Sequence, residues 1–243
     1  MAGRQVLLFT DWFYPGFKAG GTIQSAFNLV HGLSGRHDFS VVTRDTDYTG
    51  AAPYEGIKSD VWIVRPNGMR VFYFSSAKLT YANLSALVKS DRFAVAYING
   101  MYSPRLSIFP LLILSRLGKK AILAPRGMLA PSSIAIKGWK KRPFLLLLRN
   151  SGLMRNVRFH AASELEAGHI RAVFGENACI GVAPDLPGRM GLPPFVDKRK
   201  ERGAVELISI ARISPEKNLL LALEILRRVK GRHSRRGGKK DGG

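Results

Sequence analysis

Strand-length apolar runs alternate with helix-period stretches along nearly the whole chain, and that alternation narrows the fold more than any other feature. A strand buried on both faces reads as a short apolar run, and parallel strands need a crossover between them, usually a helix. Apolar runs fall at 6–10, 39–43, 61–64, 71–74, 93–98, 121–124, 157–161 and 178–182. Helical patterns fall at 22–33, 79–89, 106–117, 140–153 and 164–174. In the first of these Ile23, Ala26, Phe27, Val30 and Leu33 line one face. Ser163 and Glu166 have capping-box spacing at the start of the last. Around Arg65-Pro66-Asn67-Gly68 the reading is a hairpin inserted after the second strand, with Asn67-Gly68 as its turn. The expected fold is α/β, a doubly wound Rossmann-like domain with a mainly parallel sheet.

The prolines and charges of 184–204 mark the one plausible interdomain linker. Residues 1–183 then form the Rossmann-like domain. Residues 205–229 open a second domain, with a strand at 205–211 and a helix carrying Leu219, Ala222, Leu223, Leu226 and Val229 on one face. A strand and a helix bury too little apolar surface to make a stable domain, so this second domain reads as incomplete and C-terminally truncated. Residues 230–243 contain no apolar side chain, six Lys/Arg and five glycines, and read as a disordered basic tail.

The formal net charge is +21, of which the last 17 residues supply +7. Most of the basicity therefore belongs to the folded part. It points to an anionic partner: a phosphorylated substrate, an acidic membrane surface or nucleic acid. The single cysteine, Cys179, excludes an internal disulfide, fits a reducing cytoplasm and reads as a small buried hydrophobe. The longest greasy stretches, 106–114 and 144–148, fall well short of the roughly 20 residues of a spanning helix. Lys137-Gly138-Trp139-Lys140-Lys141-Arg142 beside an apolar helix has the pattern of a membrane interface or a lipid-linked substrate site, or of an ordinary helix with a solvated basic start.

In open parallel sheets ligands bind beyond the carboxyl ends of the strands. Gly20 and Gly21 stand at a helix start after the first strand, where glycine permits close backbone approach to an anion or hydroxyl. Asn99, with Gly100-Met101-Tyr102-Ser103, ends another strand and offers amide and hydroxyl groups. Arg126, in Pro125-Arg126-Gly127-Met128-Leu129, offers a planar fork for phosphate or carboxylate. His160 ends a further strand and taken alone reads as a structural histidine. Arg212 and Lys217 follow the 205–211 run at the mouth of a helix, a place to hold phosphates. The G-x-G-x-x-G fingerprint, the Walker lysine motif, the Gly-x-Ser-x-Gly elbow, metal-spaced His/Cys pairs and nucleic-acid modules are all missing from the sequence.

Taken in order, four segments resemble glycosyltransferase family 4, the retaining GT-B group. They are Ala19-Gly20-Gly21-Thr22-Ile23-Gln24-Ser25, Pro125-Arg126-Gly127-Met128-Leu129, Phe159-His160-Ala161-Ala162-Ser163-Glu164-Leu165-Glu166 and Ser209-Ile210-Ala211-Arg212-Ile213-Ser214-Pro215-Glu216-Lys217. The resemblance implies two Rossmann-like domains facing across a cleft, the first binding an acceptor and the second a nucleotide sugar. It implies that Arg212 and Lys217 hold the donor pyrophosphate, that Gly20 and Gly21 approach it from the other domain, and that Arg126, His160 and Asn99 line the cleft. No metal or resident cofactor is implied, because the two cations neutralise the leaving diphosphate; the nucleotide sugar is a co-substrate. Many relatives have histidine where Arg126 stands, and the Pro-Arg-Gly-Met-Leu form resembles a subgroup tied to polysaccharide assembly. Glu216 and Glu224 have the family's Glu-x7-Glu spacing but flank a leucine-rich helix, so the match reads as coincidence. The implied activity is sugar transfer to a saccharide or lipid-linked acceptor in polysaccharide biosynthesis, with little turnover by a chain lacking most of the donor domain. The cytoplasm and a peripheral contact with an anionic membrane are expected from the cysteine count and the basic charge. The alternatives are a non-catalytic acceptor-binding remnant and a basic nucleic-acid-binding α/β protein.

Overall fold

The computed structural model describes residues 4–65, 68–188, 207–210 and 218–236. The chain divides into two units, Met1–Gly191 and Leu192–Gly243. The first is built on eight strands: β1 Arg4–Thr10, β2 His37–Arg44, β3 Trp62–Val64, β4 Arg70–Phe74, β5 Val95–Asn99, β6 Ala121–Ala124, β7 Val157–Ala161 and β8 Ile180–Val182. Their order across the sheet is β3-β4-β2-β1-β5-β6-β7-β8. All pairings are parallel except β3 with β4. The chain leaves β1 toward β2 on one side and later returns to β5 on the other, so the order reverses between β1 and β5. In such sheets a crevice opens at that point, beyond the carboxyl ends.

Because β1 is buried on both faces, its side chains divide with period two. Leu7 and Phe9 join one core cluster with Leu84, Leu87, Leu111, Leu145 and Ile170, brought by α2 Tyr81–Ser90, α3 Phe109–Arg116, α5 Gly138–Asn150 and α6 Glu164–Phe174. Val6 and Leu8 join the other with Ala26 and Val30 of α1 Gly21–Leu33, and with Phe13, Val41 and Tyr73. The apolar alternation of the sequence is thus the two-sided core of a doubly wound sheet.

The expected hairpin is present: Arg65 N donates to Met69 O at 2.8 Å and Gly68 N to Arg65 O at 2.8 Å, with Gly68 at φ +78°. The connection thus closes between Arg65 and Met69 with a left-handed Gly68, and Asn67, the other half of the expected turn, lies outside the described residues. Other local expectations are corrected. The 106–117 helix begins earlier, in a π-helical turn Pro104–Ile108 capped by the Ser103 hydroxyl on Leu106 N. A short helix α4, Pro131–Ala135, has too few residues to show a period. Cys179 is exposed rather than buried, because it immediately precedes β8, which among the described strands pairs with β7 alone.

In the second unit residues 207–210 take no regular structure, where a strand was expected, and Leu207, Ile208 and Ile210 are exposed. A strand needs a partner ladder, and none of the described pairings involves these residues. The helix α7 runs Leu219–Arg236, past Val229 and into the stretch read as a tail, because nothing in Lys230-Gly231-Arg232 forces a stop. Leu220, Leu223, Ile225, Leu226 and Val229 are exposed on it, and Glu224 pairs with Arg228 at 2.6 Å.

Phe9 is fully buried in the central strand. Phe9→Ala should lower stability by about 3–5 kcal/mol, read from urea unfolding, through lost burial and a cavity that rigid neighbouring strands cannot close.

Candidate functional site

Two of the expected residues, Asn99 and Arg126, bond directly at the carboxyl edge where the strand order reverses, and His160 joins them through the Tyr97 hydroxyl. Asn99, the last residue of β5, donates from Nδ2 to Thr22 O of α1 at 3.2 Å and to Thr10 Oγ1 at the end of β1 at 3.4 Å. Its Oδ1 accepts from Arg126 Nε at 2.7 Å. Arg126 is placed by a turn in which Met128 N donates to Pro125 O at 3.2 Å, with Arg126 and Gly127 both at positive φ, 56° and 72°. An arginine in that region is strained, and the strain is held by what its side chain and the next amide bind.

The guanidinium is 7% exposed and has a partner on every nitrogen. Besides Asn99, Nη2 donates to the Tyr97 hydroxyl at 2.9 Å and Nη1 donates to Asp185. Tyr97 OH lies 2.6 Å from His160 Nδ1, and His160 Nε2 lies 2.9 Å from Ala183 O. A carbonyl only accepts, so Nε2 carries the proton, and in that neutral tautomer the phenol donates to Nδ1. Burial pushes the Tyr97 phenol well above its ordinary pKa despite the pull of the Arg126 charge, and Asp185 and Glu166 add to the rise. His160 therefore has both nitrogens engaged in positioning, which is the structural reading of a lone histidine.

Of the three partners of Arg126, Asp185 faces water: its side chain is 43% exposed. The segment after β8 brings it there, held by Asn28 Nδ2 on Leu186 O at 2.9 Å. The Asp185 carboxylate marks where an anionic group of a ligand would meet the fork.

Gly20 and Gly21 stand beside this cluster at the start of α1, one residue before the carbonyl that Asn99 grips. Gly20 has φ 64° and ψ −122°, a conformation open to glycine alone. A Cβ built at either glycine meets nothing within 4 Å. The loop that leads to them is clasped by Asp47, whose Oδ2 accepts from Phe17 N at 3.0 Å and Lys18 N at 3.2 Å and whose Oδ1 accepts from Tyr48 N at 2.7 Å. Gly16 in this loop has no room for a side chain, since a Cβ would lie 2.3 Å from Tyr54 Oη. Arg212 and Lys217 lie outside the described residues.

Sequence reasoning missed Tyr97, Asp185 and the hub role of Glu166. Ser163 caps α6 as its spacing predicts, its Oγ accepting from Glu166 N at 3.2 Å. The Glu166 carboxylate, however, spans two loops, accepting from Gly127 N and Ala162 N at 2.7 Å each. It is buried, and it fixes the Arg126-Gly127 turn against the β7–α6 connection. The capping spacing was its only trace in the sequence. A second polar cluster lies along the same edge: Asp11 Oδ1 accepts from Ser103 Oγ at 2.7 Å and from Arg44 Nε at 3.0 Å. Among the described residues no group of His, Cys, Asp or Glu side chains has the arrangement to hold a metal ion.

The fold and site define an α/β protein with a buried, fully coordinated arginine at the crevice of an open parallel sheet. No protein-family model matches the chain, and no curated protein matches it.

Glu166→Ala should cost about 2–3 kcal/mol in urea unfolding, because it leaves two loop amides without their charged acceptor. Glu166→Gln, which keeps a single acceptor oxygen, should fall between it and the parent. Burial raises the Asp47 pKa, but the amides of Phe17, Tyr48 and Lys18 and the Lys18 charge outweigh it, so the net shift is downward. A carboxyl group held low in the fold contributes stability that is present above its unfolded pKa and lost as pH falls through the folded one. Asp47→Asn should therefore lower the melting temperature at neutral pH and flatten its decline below about pH 4, as measured by melts across the acid limb.

Proposed function

We propose that this chain is a glycosyltransferase-like protein of the retaining GT-B type, resembling family 4. In this reading residues 1–183 form the acceptor-side domain of an enzyme that moves a sugar from a nucleotide donor to a saccharide or lipid-linked acceptor in polysaccharide biosynthesis. The observation that carries the reading is the linkage of Arg126, Asn99 and the first turn of α1 beside the open backbone at Gly20 and Gly21, at the crevice of a doubly wound sheet. Backbone N–H groups at a helix start and a guanidinium fork both favour phosphate oxygens, so the pair suits a diphosphate or a polyhydroxylated acceptor bearing one. Gly20 and Gly21 approach the donor diphosphate, and Arg126 holds an anionic or hydroxyl group in the cleft, with His160 and Asn99 setting its position. The donor-side roles go to Arg212 and Lys217 by resemblance alone, with the nucleotide sugar as co-substrate and no resident cofactor.

A second reading, a non-catalytic acceptor-binding protein, is favoured by the exposed leucines of α7 and by the absence of a strand at 207–210, since a donor pocket needs a packed domain beneath it. Sugar transfer by this chain is accordingly expected to be slow or undetectable.

Thermal shift against a panel of nucleoside diphosphates and their sugars tests the reading. Diphosphates should stabilise the protein weakly, and Arg126→Ala should remove the shift. Asp185→Asn, which withdraws the competing carboxylate, should lower the apparent Kd several-fold. No shift across the panel, together with no transfer to saccharide acceptors, would end the proposal.

A further inference from the structure

Between Arg92 and Ser163 the chain carries thirteen lysines and arginines and no aspartate or glutamate. That stretch runs from before β5 to the end of β7, and α5 lies within it. Leu145 and Leu148 are buried on the inner side of α5. The opposite side holds Trp139, Leu146 and Leu147, which are 75%, 60% and 71% exposed, with exposed Pro143 among them. Positions 139, 143, 146 and 147 are i, i+4, i+7 and i+8, one stripe of a helix. Lys140 borders the stripe on one side, and Arg142 and Arg149 border it on the other, all three exposed. Lys140 Nζ sits 4.6 Å from the centre of the Trp139 ring, and exposed Ile136 and Lys137 continue the pattern just before the helix. On the elements packed against α5, α4 has no acidic residue, and α6 has exposed Glu164 at its start and Glu166 turned inward on two amides.

An apolar stripe exposed between two rows of cations has no folding rationale, because each side chain would be better placed in the core or replaced by a polar one. At a lipid surface all of it is used. Tryptophan prefers the headgroup level, leucines enter the acyl boundary and lysines and arginines meet lipid phosphates. Charge complementarity selects the occupant: apart from the buried Arg126, the stretch offers twelve cations and no anion of its own, which matches a sheet of phosphates. Nucleic acid would use the cations but gain nothing from Leu146 and Leu147.

We propose that α5 is a membrane-docking helix that seats the first unit on an anionic bilayer, with Trp139, Pro143, Leu146 and Leu147 in the headgroup region. The proposal stands independently of the sugar-transfer reading.

The test is co-sedimentation of the full chain with vesicles of phosphatidylcholine alone or mixed with phosphatidylglycerol. Binding to the anionic vesicles, little binding to the neutral ones and loss at high salt are expected. The variant W139A/L146S/L147S should retain its melting temperature, since these side chains are exposed, and its partition coefficient should fall roughly tenfold or more. K140E/R142E/R149E should fall similarly, and quenching by bromolipids in the parent should be lost in Trp139→Phe. The α7 variant L223S/L226S serves as the control and should bind as the parent does. Unchanged binding by the apolar variant, or abolition by the α7 variant, overturns the proposal. So does binding that depends on the cations alone and is matched by duplex DNA.

Discussion

A guanidinium taken almost entirely out of water must be satisfied on every nitrogen, and the carboxyl edge of this sheet is organised around meeting that demand at Arg126. Its partners come from two separate parts of the chain: Asn99 and Tyr97 on β5, and Asp185 beyond β8. Each partner is itself held, Asn99 by Thr10 and Thr22, Tyr97 by His160, and the Asp185 segment by Asn28. The cluster therefore ties β1, β5, β6, β7, α1 and the segment after β8 to one charge. A left-handed arginine is tolerated at φ 56° because Glu166 grips the following amide and the side chain is gripped at its far end.

That arrangement leaves one exchangeable position. Tyr97 and Asn99 are buried members of the central strand, whereas Asp185 is half-exposed on an irregular segment. In the proposed function, a ligand anion entering the crevice would compete with a tethered carboxylate rather than with bulk water, and its binding would be thermodynamically linked to release of the 183–188 segment. The open backbone at Gly20 and Gly21 lies on the same rim, since Asn99 bonds the first turn of α1. The acid-free stretch from Arg92 to Ser163 adds a long-range positive field around this half of the sheet.

Much of the first unit was legible in the sequence because its strands are buried on both faces and announce themselves as apolar runs; β6 and β7 match their runs residue for residue. Element ends were less legible. The π-helical start at Pro104 is set by hydrogen bonds that composition does not encode. Cys179 was misread because its type is usually buried, while its exposure follows from an edge position that only the strand order reveals. Asn99, Arg126 and His160 were legible because they end or follow strands. Tyr97 was hidden inside an apolar run, and Asp185 inside a segment that read as linker.

The sequence by itself determined the α/β class, the succession of crossovers and the identity of the strand ends, since each follows from local periodicity and from the parallel connections that helices require. Only the tertiary structure decided which strand ends are neighbours. The order reversal between β1 and β5 places Thr10, Asn99 and the start of α1 together, and the return of the chain after β8 supplies Asp185. These contacts span 59 to 158 residues of chain between Arg126 and Asp185 or Asn28 and Leu186, separations at which no local pattern carries information. They form because a buried charge and a buried amide have to be paired, and the fold offers those partners at that edge.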